Sequence, residues 1–176
     1  MKSDAIIIDN QCNGFDQAGK ATEKTAAYAG LDHKDSLRLL LCTEEMLSMV
    51  HSVTGGMEGT FWIEAEGKNF ELHLTTKTVM DKEKRHLLIS ASTSRKNEAA
   101  QSFLGKMRDA FEEFMAADVD HSDRIPEDIM NDLPNHVIEC KEWDGYEQSI
   151  LQKVAEQVKV SIRGQLVDMT VIQKFE

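Results

Sequence analysis

Residues 36–56 read SLRLLLCTEEMLSMVHSVTGG, and their periodicity decides how the rest of the chain is placed. Leu37, Leu40, Leu41, Glu44, Leu47 and His51 recur at helical spacing on one stripe. Leu39, Cys42, Met46, Met49, Val50 and Val53 form an adjoining stripe. Apolar positions that wide predict a helix covered on more than one side, in the interior of a domain. Ser36 is the expected N-cap, and Gly55-Gly56 the expected stop, where glycine adopts positive φ without steric cost. Glu44 and Glu45 stand mid-helix. Burying an unpaired carboxylate is costly, so at least one of them is expected to face a cleft or a polar network.

Outward from this helix, the flanking segments alternate in type. Ala5–Ile8 predicts a short strand, and Asn13-Gly14 a turn into a helix over about Asp16–Ala29. On the other side, residues 59–66 and 70–76 alternate apolar and polar around Gly67-Lys68-Asn69, the pattern of a hairpin. Asp81 is placed to cap a short helix that holds Leu87, Leu88 and Ile89. Ala100, Phe103, Leu104, Met107, Ala110, Phe111, Phe114 and Met115 predict an amphipathic helix, its apolar side serving either the core or a homodimer interface. Residues 117–143 hold both prolines and most of an acidic cluster, and read as an irregular insertion. A last helix over Tyr146–Gln157 and strands over 158–162 and 166–175 complete the chain. The expected fold is α+β: a two-layer sandwich, helices on one face of a mixed, mostly antiparallel sheet, in one domain over residues 1–176.

Composition narrows the function. The chain has 176 residues, of which 41% are hydrophobic and 29% charged, enough for one domain with a real core. A net charge of -11 opposes binding to nucleic acid or anionic lipid. The apolar runs are too short to span a bilayer, and MKSDAIIIDN has no secretory core, so no membrane is expected and a cytoplasmic location is. Cys12, Cys42 and Cys140 lack metal-ligand spacing and read as free thiols. The six histidines show neither HxH nor HExxH, and no metal site is expected. His51 and His73 read as surface or hydrogen-bonded structural residues. The acidic run from Asp118 to Asp123 begins like a calcium loop. It puts Asp123 where glycine is needed and Ile129 where the bidentate glutamate belongs, so calcium is not expected. Arg85-His86 and Ser94-Arg95-Lys96-Asn97 read either as a phosphate-holding cluster or as a solvated basic turn.

The order strand, helix, glutamate-bearing helix, hairpin, insertion, helix, hairpin resembles the GHKL (histidine-kinase-like) ATPase fold. Within that fold, residues 29–47 and 150–160 are similar to the anti-sigma-factor serine kinases, and the similarity covers about residues 3–76 and 144–175. Family members pair a water-activating glutamate with a magnesium-ligating asparagine four residues later. Here that spacing runs from Glu45 to Met49 or from Glu44 to Ser48. Where the family has DxGxG, this chain has Thr75-Thr76-Lys77-Thr78, and only Gly145 remains of its glycine-rich lid. The resemblance therefore implies a regulatory protein that binds another protein, sigma-factor-like in kind, through an eroded ATP site with no cofactor. A divergent Mg-ATP-dependent serine/threonine kinase or ATPase is the enzyme alternative. Glu45 or Glu44 would then be the base, Ser48, Met49, Thr75, Thr76 and Gly145 cleft positions, and Arg95 and Lys96 phosphate holders. A small-ligand binder reusing the cleft is the third reading.

Overall fold

Two helices, not one, carry the chain from its first strand to its second, and that sets the direction of the sheet. The computed structural model describes residues 1–9, 11–55, 58–100 and 150–176. Strand β1 (Ile6–Ile8) leads to α1 (Phe15–Tyr28), α2 (His33–Thr54) and β2 (Glu58–Glu66). One crossover helix would return the chain parallel to β1; the α1–α2 hairpin reverses it once more, so β2 pairs with β1 antiparallel. β3 (Asn69–Lys77) follows across a tight turn at Gly67, whose φ is 60°. Then come α3 (Lys82–Ala91), a 3-10 turn at Glu98–Ala100, helical residues 150–154, β4 (Gln157–Arg163) and β5 (Leu166–Lys174).

The strands form a five-stranded sheet in the order β1-β2-β3-β5-β4. All four pairings are antiparallel, so the mixed character expected of the sheet is absent among the described residues. The fold is α+β. Alternate residues of each strand enter one core: Phe61 and Ile63, Phe70, Leu72 and Leu74, Val158, Val160 and Ile162, Val167, Met169 and Val171. The same core takes Ala18 and Ala26 of α1, the Leu39-to-Val53 row of α2, and Leu88 and Ala91 of α3. α1 packs on β2, α2 on β5 and α3 on β4.

Of the two α2 stripes, only one is fully internal. Leu39, Cys42, Met46, Met49, Val50 and Val53 are all buried, whereas Leu37 is 51% exposed and Glu44 is exposed. Leu47 is the member of the outer stripe that reaches the core. Small residues on α1 let α2 approach, and buried hydroxyls fasten the pair. Thr22 Oγ1 and Thr43 Oγ1 lie 2.9 Å apart, and each also reaches the carbonyl one turn back in its own helix.

Two predicted boundaries move. α2 begins at His33, capped by Asp32, whose carboxylate accepts from Asp35 N at 2.8 Å; Ser36 lies inside the first turn. An ionised cap at the positive end of the helix dipole outcompetes the serine one turn later. The last helix stops at residue 154 rather than 157, because Gln157 is already paired with Ile172. Arg38 donates from Nε and Nη2 to the Val154 carbonyl at 3.0 and 2.8 Å, a cation closing a helix C-terminus. Gly55 (φ 72°) ends α2 and Asp81 caps α3, both as expected. The amphipathic segment 100–115 and the insertion 117–143 lie outside the described residues, apart from the 3-10 turn that ends at Ala100.

Two outcomes test this geometry by urea unfolding. Asp32→Ala should cost about 1 kcal/mol while Ser36→Ala stays within a few tenths. Gly59→Ala should cost about 1–3 kcal/mol, since a Cβ there meets the Thr75 carbonyl oxygen at 2.7 Å.

Candidate functional site

The carboxylates of α2 diverge, because adjacent helical residues point about 100° apart. Glu44 is exposed and, with Ser48 one turn on, lines a groove of about 510 Å³ between α1 and α2. Leu40, Leu47 and Phe15 give the groove an apolar lining, and Gly19 leaves it open. Asp16, Lys20 and Glu23 contribute charges from α1, Lys20 being paired with Asp16 at 2.5 Å.

Glu45 is only partly exposed, and its Oε2 is shielded from solvent. It acts on Cys42: burial pushes that thiol up to about 12, Arg38 opposes the rise and Glu45 adds to it. One turn past Glu45 stands Met49, with no solvent exposure. A core thioether lines no cleft and is a poor ligand for magnesium, which takes hard oxygen donors. Of the two spacings, then, only Glu44–Ser48 presents both members to one open groove.

The remaining predicted positions do not converge on it. Thr75 and Thr76 are neighbours in β3, so they point to opposite faces of the sheet. Thr75 Oγ1 donates to Asp168 Oδ1 at 2.8 Å, while buried Thr76 donates to the Glu58 carbonyl at 2.9 Å. Arg95 and Lys96 are exposed on the loop that covers the edge strand β4. That loop is anchored by Asn97, whose side chain donates to the Ile162 carbonyl at 2.9 Å and accepts from Ile162 N at 2.8 Å. Thr93 bonds Val158 in the same two-way manner. The loop thus takes the place of a sixth strand's hydrogen bonds and blunts the edge. It lies on the α3 side, whereas Glu44 and Ser48 face α1. Gly145 lies outside the described residues. Among the described residues, no group of three or more histidine, cysteine or acidic side chains could hold a metal ion.

A second polar cluster, unforeseen as a unit, covers the sheet face away from the core. Trp62 stacks on His73 across the β2–β3 pair, ring centroids 4.8 Å apart and planes within 11°. Trp62 Nε1 donates to Glu64 Oε1 at 3.0 Å. Lys2 Nζ bonds the same oxygen at 2.8 Å and sits 5.1 Å above the Trp62 ring. The Lys2 and Trp62 hydrogen bonds hold the Glu64 carboxyl below its usual range. His73 Nδ1 lies 3.3 Å from Thr170 Oγ1, and Nε2 lies 3.4 Å from Glu71 Oε2. Burial pushes the imidazole pKa down, against the pull of Glu64 and Glu71. The alternation of Trp62 and Glu64 with Phe61 and Ile63 was the available signal. What sequence lacked was the register that sets Trp62 opposite His73.

The chain matches no protein-family model, and no curated protein matches it. Among the described residues, no helix is long and apolar enough to cross a membrane.

His73 gives the site a pH signature. Its folded pKa is below the unfolded value of 6.5, so the unfolded chain binds the extra proton first. Stability should fall as pH drops through 6.5 towards the folded value. His73→Gln should flatten that segment of a urea-midpoint versus pH curve; an unchanged slope would remove His73 as its source.

Proposed function

We propose that the chain is a cytoplasmic regulatory protein with a histidine-kinase-like (GHKL) fold, one that acts by binding another protein and does not turn over ATP. The observation that carries this reading is Met49, buried in the core one turn after Glu45: in the Glu45 register, one of the two that the resemblance allows, it stands where the family carries its magnesium-ligating asparagine. The sequence of elements is in keeping with it: strand, two helices, hairpin, helix, then a terminal hairpin. The separation of Arg95 and Lys96 from Glu44 and Ser48 supports it too, since a phosphate-holding pair belongs beside the base. A partner-binding role needs only surface, and the α1–α2 groove offers an apolar floor rimmed by Asp16, Glu23 and Glu44.

One observation favours an enzymatic second reading. Glu44 and Ser48 share the groove one turn apart, and a serine hydroxyl is an acceptable hard ligand. In that reading Glu44 is the base of a divergent ATPase or serine kinase.

A thermal-shift titration with ATP and ADP, with and without Mg²⁺, separates the two. A native-state ligand at a hundredfold excess over Kd stabilises by about 2.7 kcal/mol, several degrees for a chain of this size. The binding-protein reading expects no shift at millimolar nucleotide. A magnesium-dependent rise that Glu44→Gln abolishes would replace it with the enzyme, and a rise indifferent to magnesium would mark a nucleotide sensor.

A further inference from the structure

One chemistry-bearing pair stands outside the groove lining, and it joins segments far apart in sequence. Cys12 is exposed on the turn between β1 and α1. His51 comes from the last turn of α2, and its Nε2 lies 3.7 Å from Cys12 Sγ. Both partners are held. Asp9 clamps the turn by accepting from Gln11 N and Asn13 N at 2.9 and 3.0 Å and from Asn13 Nδ2 at 2.7 Å. Among the described residues, the His51 imidazole is the side-chain group in hydrogen-bond reach of the thiol. Phe15 braces the imidazole edge-on, with centroids 6.1 Å apart and planes at 88°.

We propose that Cys12 is a peroxide-reactive thiol, with His51 as its proton carrier and a hydroperoxide as its substrate class. The step uses the ring in its Nδ1–H form, with Nε2 as acceptor. Sγ passes its proton to Nε2, and the thiolate attacks the terminal oxygen of ROOH. The S–O bond forms as the O–O bond breaks, so sulfur gives up the two electrons that the peroxide takes. The departing alkoxide collects the proton from His51, leaving Cys12 as the sulfenic acid and releasing ROH. Cys42 is the internal contrast: it is buried, its thiol is pushed up to about 12, and no peroxide reaches it. Both thiols are free, so among the described residues no disulfide consumes the product. Phe15, which braces His51, also lines the α1–α2 groove, so the Cys12–His51 pair is linked to the groove through that ring. The assignment does not depend on how the groove is used.

The test treats the intact chain with hydrogen peroxide at neutral pH in the presence of dimedone, and follows the labelled Cys12 peptide by mass spectrometry. With His51 Nε2 held 3.7 Å from Sγ to take its proton, native Cys12 should label at least about tenfold faster than in the urea-unfolded chain, where that contact is lost. Cys42 should stay unlabelled until the chain unfolds. His51→Gln, checked by circular dichroism for a native spectrum, should bring the Cys12 rate down to that of the unfolded chain. A native rate no higher than the unfolded one overturns the proposal without recourse to any variant. An undiminished rate in folded His51→Gln overturns the role of His51.

Discussion

The row Leu39, Cys42, Met46, Met49, Val50 and Val53 is held out of water between the sheet and the flanking helices, and the rest of the structure is arranged to keep it there. Fully burying a side chain of this kind contributes about 1.5–3 kcal/mol, so no rotation of α2 that exposes the row survives. With that orientation set, the polar residues of α2 have no freedom of their own. Glu44 and Ser48 must face the α1 groove, Met49 must lie inside, and Glu45 must sit at the margin. The Thr22–Thr43 contact fixes α1 against the same helix, and so defines the groove that Glu44 lines.

The sheet imposes a second constraint with a period of two. Because successive strand residues alternate faces, the core row Phe61, Ile63, Leu72 and Leu74 obliges Trp62, Glu64 and His73 to stand on the other side. Thr75 and Thr76 are divided by the same rule. The outer face thereby acquires a stacked Trp62–His73 pair under a lysine–glutamate bridge. At the far edge the Thr93–Asn97 loop substitutes for a neighbouring strand, and this accounts for a buried asparagine in a basic stretch. In that light Arg95 and Lys96 are the solvated exterior of an edge cover.

The two thiols among the described residues show how position sets chemistry. Cys42, one of the core row, is made inert by the burial that stabilises the fold. Cys12, on a turn outside that core, is exposed and meets an imidazole at the end of the helix that carries Cys42. Their flanking sequences, an apolar helical run around Cys42 and a polar turn around Cys12, announce the difference in burial but not the contact between Cys12 and His51.

Sequence by itself determined the types and order of the described elements and the alternating core rows of the strands, because apolar periodicity is a local property of the chain, while two apolar stripes on α2 left open which of them is internal. The hairpin at Gly67 and the cap at Asp81 were legible for the same reason. The N-cap of α2 was not: Asp32 and Ser36 are both good caps, and sequence alone offered no way to choose between their geometries. Only the tertiary structure decided which carboxylate opens onto the groove, that Met49 is core, that Arg95 and Lys96 lie apart from Glu44, and that Cys12 meets His51. Those are contacts between segments distant in the chain. They follow from strand register and helix orientation, which are fixed when the core closes, not when the helices and strands form.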